Sequence, residues 1–271
     1  QQIAAPAGTV KDIALIQNAG SDSVGVAIVT TTNLKIVQPS VSLEKMASSQ
    51  LYHSKPILID ETVVVDSSGM DGIFWTAQDA IDASFNAKRN DILVRQGTYG
   101  RFNFLTGVAD GMHLHCTGAR GAPGGTQHGV EFQGNGTTNA VTFTSNGRIS
   151  NCGFWGPGGG GGAAHTVELL TGAYGWFDHN VIRDSDSIGI HVNMTDAVVA
   201  HNTILDADGD GIYHSSTGDR VVLVGNHGVS IGGTNFINAN GSTHVSAVGN
   251  VGDKPVVNTG TGSVSAGNVE F

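Results

Sequence analysis

Charge is the scarcest commodity in this chain: Asp, Glu, Lys and Arg together make up 13% of its 271 residues, and the formal net charge is −10. An acidic, sparsely charged surface repels phosphate backbones and anionic lipid, so nucleic acid and membrane surfaces are excluded as partners. No run approaches 18 apolar residues, which excludes a spanning helix. The chain starts at Gln1, and no signal-peptide pattern opens it. There are two cysteines, Cys116 and Cys152, far apart and outside any CxxC. They point to neither a disulfide framework nor a zinc site and are expected to fill small inward-facing positions. The familiar catalytic signatures are missing too: there is no G-x-S-x-G, no H-E-x-x-H and no P-loop lysine. Gly156–Gly161 fits G-x-G-x-x-G in letters but opens into a strand and not a helix, so it reads as a loop between coils and no cofactor is expected.

What the chain has is glycine, 40 residues of it, with abundant Val, Ile, Thr, Asn and Ser. It also repeats itself. His179-Asn180-Val181-Ile182-Arg183-Asp184-Ser185-Asp186 returns 22 residues later as His201-Asn202-Thr203-Ile204-Leu205-Asp206-Ala207-Asp208, and Gly189-Ile190 matches Gly211-Ile212. A period of this length with strand-like alternation predicts a solenoid of stacked β-coils. Asn180, Asn202, Asn226, Asn250 and Asn268 recur at intervals of 22, 24, 24 and 18. They read as stacked turn residues, tolerant of left-handed backbone and able to bond coil to coil.

Residues 1–65 differ in character. Ile13–Ile16, Val24–Val29 and Leu34–Val37 read as strands, Ser42–Ser49 as a short helix, and Pro56–Val65 as a further strand or strand pair, which together make a small β-rich attachment module. In the following segment, Thr76 and Asp79 form a helix N-cap pair. Ala77, Ala80, Ile81, Ser84 and Phe85 share one face of a helix near 76–86.

The order Ser68-Gly69-x-Asp71-Gly72, then a helix carrying Gln78-x-Ala80-Ile81-Asp82-Ala83, then Asp91-x-x-Val94-x-x-Gly97-Thr98-Tyr99, resembles the opening of the right-handed parallel β-helix (pectin-lyase-like) superfamily. The resemblance covers residues 66–271 and implies an all-β fold: a right-handed parallel β-helix of about seven to eight coils, plugged by an N-terminal capping helix and preceded by the small β-rich module. It says little about activity, because the scaffold hosts many.

The acidic segment Asp184, Asp186, Asp206, Asp208 and Asp210 is the best catalytic candidate. In-register stacking would set Asp184 over Asp206 and Asp186 over Asp208 at about 4.8 Å, near the carboxylate spacing of about 5–5.5 Å in retaining glycosidases. Arg183, His191, His214 and Arg220 are near enough in sequence to assist. The competing reading makes these aspartates ordinary turn residues, and it carries more weight because Asp is common in turns. Asp206, Asp208 and Asp210 imitate the start of an EF-hand loop, but Thr217 stands where a bidentate Glu is required, so only a looser cation site remains. Gly225-Asn226-His227-Gly228 resembles the GHG of polygalacturonases without the paired Asp motifs that family needs. Trp75, Phe102, Phe104, Trp155, Trp176 and Phe177 read as packing residues rather than a sugar platform. The 11 histidines show no ligand spacing.

The organisation is similar to that of bacteriophage capsid-decoration (cement) proteins and short spikes. It implies a non-enzymatic virion-surface protein, homotrimeric, whose partners are capsid or tail proteins. Two alternatives stand beside it. One is a secreted or tailspike polysaccharide depolymerase using Asp184, Asp186, Asp206, Asp208, Arg183 and His214. The other is a glycan-binding adhesin without catalysis.

Overall fold

The computed structural model describes residues 10–17, 24–30, 34–37, 62–66, 74–87, 91–105, 107–118, 129–135, 137–156, 165–170, 174–215, 219–239 and 241–271. The chain divides into two compact units, Gln1–Ile57 and Leu58–Phe271. In the first, Val10–Gln17, Val24–Thr30 and Leu34–Val37 form an antiparallel three-stranded meander. The helix expected at Ser42–Ser49 lies outside the described residues, as does the segment from Pro56 to Glu61.

The second unit is a parallel β-helix with three faces. Sheet 1 stacks Thr62–Val65, Asp91–Val94, His113–Cys116, Arg148–Ser150, Trp176–Asp178, Val198–Ala200, Val222–Val224, Ser246–Val248 and Val264–Ala266. Sheet 2 runs from Gly97–Gly100 to Val269–Glu270, and sheet 3 from Phe102–Phe104 to Val256–Val257. Every pairing in these sheets is parallel, as coils that return over themselves require, and parallel crossovers take the right hand. Seven coils therefore carry all three strands and an eighth ends after two. We number the coils from Asp91–Phe104. Thr62–Val65, which the sequence reading assigned to the N-terminal module, pairs with Asp91–Val94 as the first rung of sheet 1.

Alternation fills the interior. In sheet 2 the inward column reads Tyr99, Phe132, Phe154, Ile182, Ile204, Gly228 and Gly252 in strict register. The Phe132 and Phe154 rings stack at 5.6 Å, and Phe177 of sheet 1 continues the series at 5.4 Å. The two glycines end the aromatic column for a steric reason. A Cβ at Gly228 or Gly252 would lie 2.3 or 2.6 Å from the Phe236 ring, which fills the space both leave. The motif Gly225–Gly228 is thereby explained without catalysis.

The asparagine ladder is present in full. The backbone N–H groups of Asn180, Asn202, Asn226 and Asn250 each donate to the Oδ1 of the next asparagine at 2.9–3.0 Å. The Nδ2 of each of these, and of Asn268, donates back to a carbonyl of the coil before: Ile149, Phe177, Val199, Leu223 and Ala247 in turn. The left-handed backbone sits one residue earlier than expected, at Asn151, His179, His201, Gly225, Gly249 and Gly267. Below the lowest rung Cys152 takes the asparagine position, its N–H bonded to Asn180 Oδ1.

That cysteine corrects the sequence reading. Cys116 and Cys152 form a disulfide that staples the second coil to the third. Sequence distance concealed the contact, because 36 residues of chain amount here to a single storey.

Helix α1, Ala77–Ala87, plugs the first coil. Thr76 Oγ1 accepts from the Asp79 N–H and donates to its carboxylate, as a cap should. Ala77, Ala80, Ile81 and Ser84 are buried. Gln78 Oε1 accepts the Asn103 N–H at 2.9 Å, satisfying the open edge of sheet 3. Phe85 departs from the expected face and is half exposed, as is Trp75.

Candidate functional site

An outward side chain in a stacked coil meets the outward side chain at the same position one storey away, about 4.8 Å off. Polar groups therefore assemble between neighbouring coils, and among the described residues each sheet carries such a cluster.

On sheet 2 the outward neighbours Gln133, Trp155 and Arg183 stand in register. Arg183 lies over the Trp155 ring at 4.2 Å and donates to Glu131 Oε2 at 2.5 Å. Both members of that ion pair are buried, and Gln133 Nε2 donates to Glu131 Oε1 at 2.9 Å, holding the carboxylate in place. Asp184 follows Arg183. Burial pushes its carboxyl above the usual range; Arg183 opposes the shift, while Asp206 and Glu131 add to it.

The structure divides the aspartates of the sequence prediction. Asp184 and Asp206 adopt left-handed backbone (φ 51° and 56°), and Ser230 repeats that conformation one coil on. Asp186 and Asp208 lie in the bends beyond the strands, Asp186 half-buried and Asp208 exposed. Asp210 is committed to the next coil, accepting from the Asn235 N–H and from Asn238 Nδ2. Among the described residues, Asp206, Asp208 and Asp210 are not one of the groups whose ligand atoms converge on a point.

His214 is not brought to this cluster. It is fully buried on sheet 3, its Nδ1 sharing a 2.5 Å hydrogen bond with Ser242 Oγ. Burial, with the neighbouring His191 imidazole as the lesser cause, lowers its pKa to about 4.

Sheet 1 carries Asp91, His113, His115, Arg148, Ser150, Asp178 and His179. His113 Nε2 shares a 2.8 Å hydrogen bond with Ser150 Oγ, and its Nδ1 lies 3.6 Å from Asp91 Oδ1. The order Ser–His–Asp is that of a hydrolytic triad, but the His–Asp distance exceeds a hydrogen bond and Ser150 is 2% exposed. Arg148 grips Asp178 in a bidentate pair at 2.7 and 2.6 Å. Burial would raise the Asp178 carboxyl, yet the hydrogen bonds from Arg148 and His179 hold it below its ordinary range.

Sheet 3 brings together residues that sequence reasoning did not connect. Glu168 and His191 are register partners, with His165 beside them. Burial lowers the pKa of both imidazoles, so they are neutral at neutral pH. The signal was present only as a 23-residue offset between Glu168 and His191, close to the length of the repeat.

No protein-family model matches the chain, and no curated protein matches it. Among solved structures, ORF18 of Geobacillus virus E2 is similar over 96% of this chain and 69% of its own length, at 12% identity and a TM-score of 0.28. The fold assignment stands on sheet topology alone.

Proposed function

We propose that the chain is a non-enzymatic structural protein of a virus-particle surface, its N-terminal module (residues 1–57) attaching to capsid or tail proteins and its β-helix carried outward as a homotrimer. The observation that supports this most is conformational. The candidate carboxylates Asp184 and Asp206 share a left-handed corner with Ser230, so the position selects for backbone tolerance before it selects for a carboxylate. The polar pairs on the flanks serve the same end, since Arg183–Glu131, Arg148–Asp178 and Arg220–Asp196 each tie different coils together. A disulfide between coils suits an oxidising, extracellular setting. On sheet 1 the outward column Trp176, Val198, Val222, Ser246 and Val264 is largely apolar, with Trp176, Val222 and Val264 exposed, and offers a flank for a second copy to cover.

The test is assembly. The full chain should co-sediment with its particle in a fixed copy number, and deletion of residues 1–57 should abolish this. Asp184→Asn with Asp206→Asn should leave it unchanged.

One observation favours a depolymerase instead. Asp184, its carboxyl raised by burial with Glu131 adding to the shift, has the character of a general acid. Release of oligosaccharide by the wild type, abolished in Asp184→Asn, would establish that reading and displace the first.

A further inference from the structure

We propose that His165, Glu168 and His191 form a binding site for a divalent transition-metal ion of the zinc type, clamping the third and fourth coils on the outer face of sheet 3. One ligand atom from each of the three lies within 4.8 Å of the others. His191 Nδ1 is 3.8 Å from Glu168 Oε1, too far for a hydrogen bond. The two imidazoles meet edge to face at 4.6 Å. The Nδ1 atoms of His165 and His191 are both buried without a hydrogen-bond partner. Two orphaned buried nitrogens close to one carboxylate are an unexplained cost unless something fills the space between the three groups. A tetrahedral ion with bonds of about 2.0–2.1 Å sets its ligand atoms about 3.3 Å apart. The observed separations close to that value with small side-chain rotations.

The surroundings are those of a metal site. Asn139 Nδ2 donates to Glu168 Oε2 at 2.6 Å, leaving Oε1 to face His191. Tyr213 stacks on the His191 ring at 5.6 Å and fixes its plane. Such outer contacts orient first ligands. Two imidazoles and one carboxylate select a borderline cation over calcium or magnesium, which prefer oxygen throughout. Three protein ligands also leave a position open to water or to a donor from elsewhere.

The second convergent group, Asp91, His113 and His115 on sheet 1, is the poorer host. His113 Nε2 is engaged by Ser150, and the positive charge of Arg148 acts directly on that imidazole. Among the described residues, no arginine or lysine acts on His165 or His191 in the same way.

The experiment is a calorimetric titration of the chelator-treated full chain with ZnCl2. One equivalent should bind at this site. His165→Gln, Glu168→Gln and His191→Gln should each weaken binding by on the order of a hundredfold, and Asn139→Ala by about tenfold. His113→Gln should leave it unchanged. The proposal is overturned by a wild type that takes up no Zn2+ at micromolar concentration, by a His191→Gln variant that binds as tightly as wild type, or by loss of binding that follows His113→Gln instead. Should the glutamine variants lose their far-UV circular dichroism, Co2+ loaded into the wild type decides. X-ray absorption showing two imidazole nitrogens at the metal supports the site, and a cobalt ion with no imidazole ligand refutes it.

Discussion

Asn226→Ala tests the ladder at its most buried stretch. Asn226 Oδ1 accepts from the Asn202 N–H and from Asn202 Nδ2, at 3.0 and 3.1 Å. Its Nδ2 donates to the Val199 carbonyl and to Asn250 Oδ1, both at 3.0 Å. Truncation removes the acceptor of the Asn202 N–H in a place water does not reach, at a cost of about 1–3 kcal/mol, and each of the three other lost bonds adds about 1 kcal/mol. The expected loss is therefore about 4–6 kcal/mol, a large part of the stability of an ordinary domain. Asn268 is the internal control. It makes the same bonds to Asn250 and to the Ala247 carbonyl, but at a rung that solvent touches. Asn268→Ala should cost about 1 kcal/mol, since water replaces the missing partners. Urea unfolding followed by far-UV circular dichroism measures both, with equal m-values as the condition for comparing midpoints. Equal losses at the two rungs would refute the argument, because burial and not the count of hydrogen bonds is what separates them.

Replacing both Cys116 and Cys152 by alanine should cost about 4 kcal/mol on the loop-entropy account for a separation of 36 residues; dithiothreitol should lower the urea midpoint of the wild type and leave that of the double variant in place. Gly228→Ala puts a Cβ 2.3 Å from the Phe236 ring and should cost about 1–3 kcal/mol, whereas Gly100→Ala meets nothing within 4 Å and should be close to neutral; thermal melts of the pair settle the comparison. His214 binds its proton more readily unfolded than folded, because burial holds its folded pKa at about 4. Its contribution is thus fully present above about pH 6.5 and lost as pH falls toward 4, by about 3 kcal/mol. His214→Gln should flatten that slope in stability measured against pH, and an unchanged slope would place the acid sensitivity elsewhere.

The fold was legible because a solenoid writes its register into the chain. His179–Asp186 and His201–Asp208 are aligned in sequence, and Val181 and Ile182 do pair with Thr203 and Ile204. Thr76 and Asp79 announced the cap by a rule that acts over three residues. The misreadings arose where the period slips. Cys116 and Cys152 are separated by a coil lengthened by a connection between its strands, so their spacing of 36 matches no repeat. The left-handed residue was assigned to each asparagine and belongs to its predecessor, since a ladder amide must point inward while the corner turns just before it. Phe85 sits on the helical face with Ala77 and Ile81 by angle alone, but it lies on the last full turn and is half exposed. The histidine cluster on sheet 3 left no local trace, because its members share a column and not a motif.

This column logic also bears on what the flanks can do. On a stacked face a side chain has fixed neighbours in the coils above and below, so a charge is matched by a residue of a nearby coil or remains unpaired. Arg183 answers Glu131 across two coils by lying on Trp155 in the coil between, which supports the long guanidinium arm and excludes water from the pair. Arg148 answers Asp178 from the adjacent coil, and Asp178 in turn holds His179. Where such an answer exists the polar residue stiffens the stack, and no group is left over for chemistry. Asp184 and the His165–Glu168–His191 group are two places where such an answer is incomplete: one carboxyl raised by its burial, and two buried imidazole nitrogens with no hydrogen-bond partner beside one carboxylate. Each of the two positions combines burial with a titratable group, and the separate readouts of oligosaccharide release and zinc uptake tell them apart.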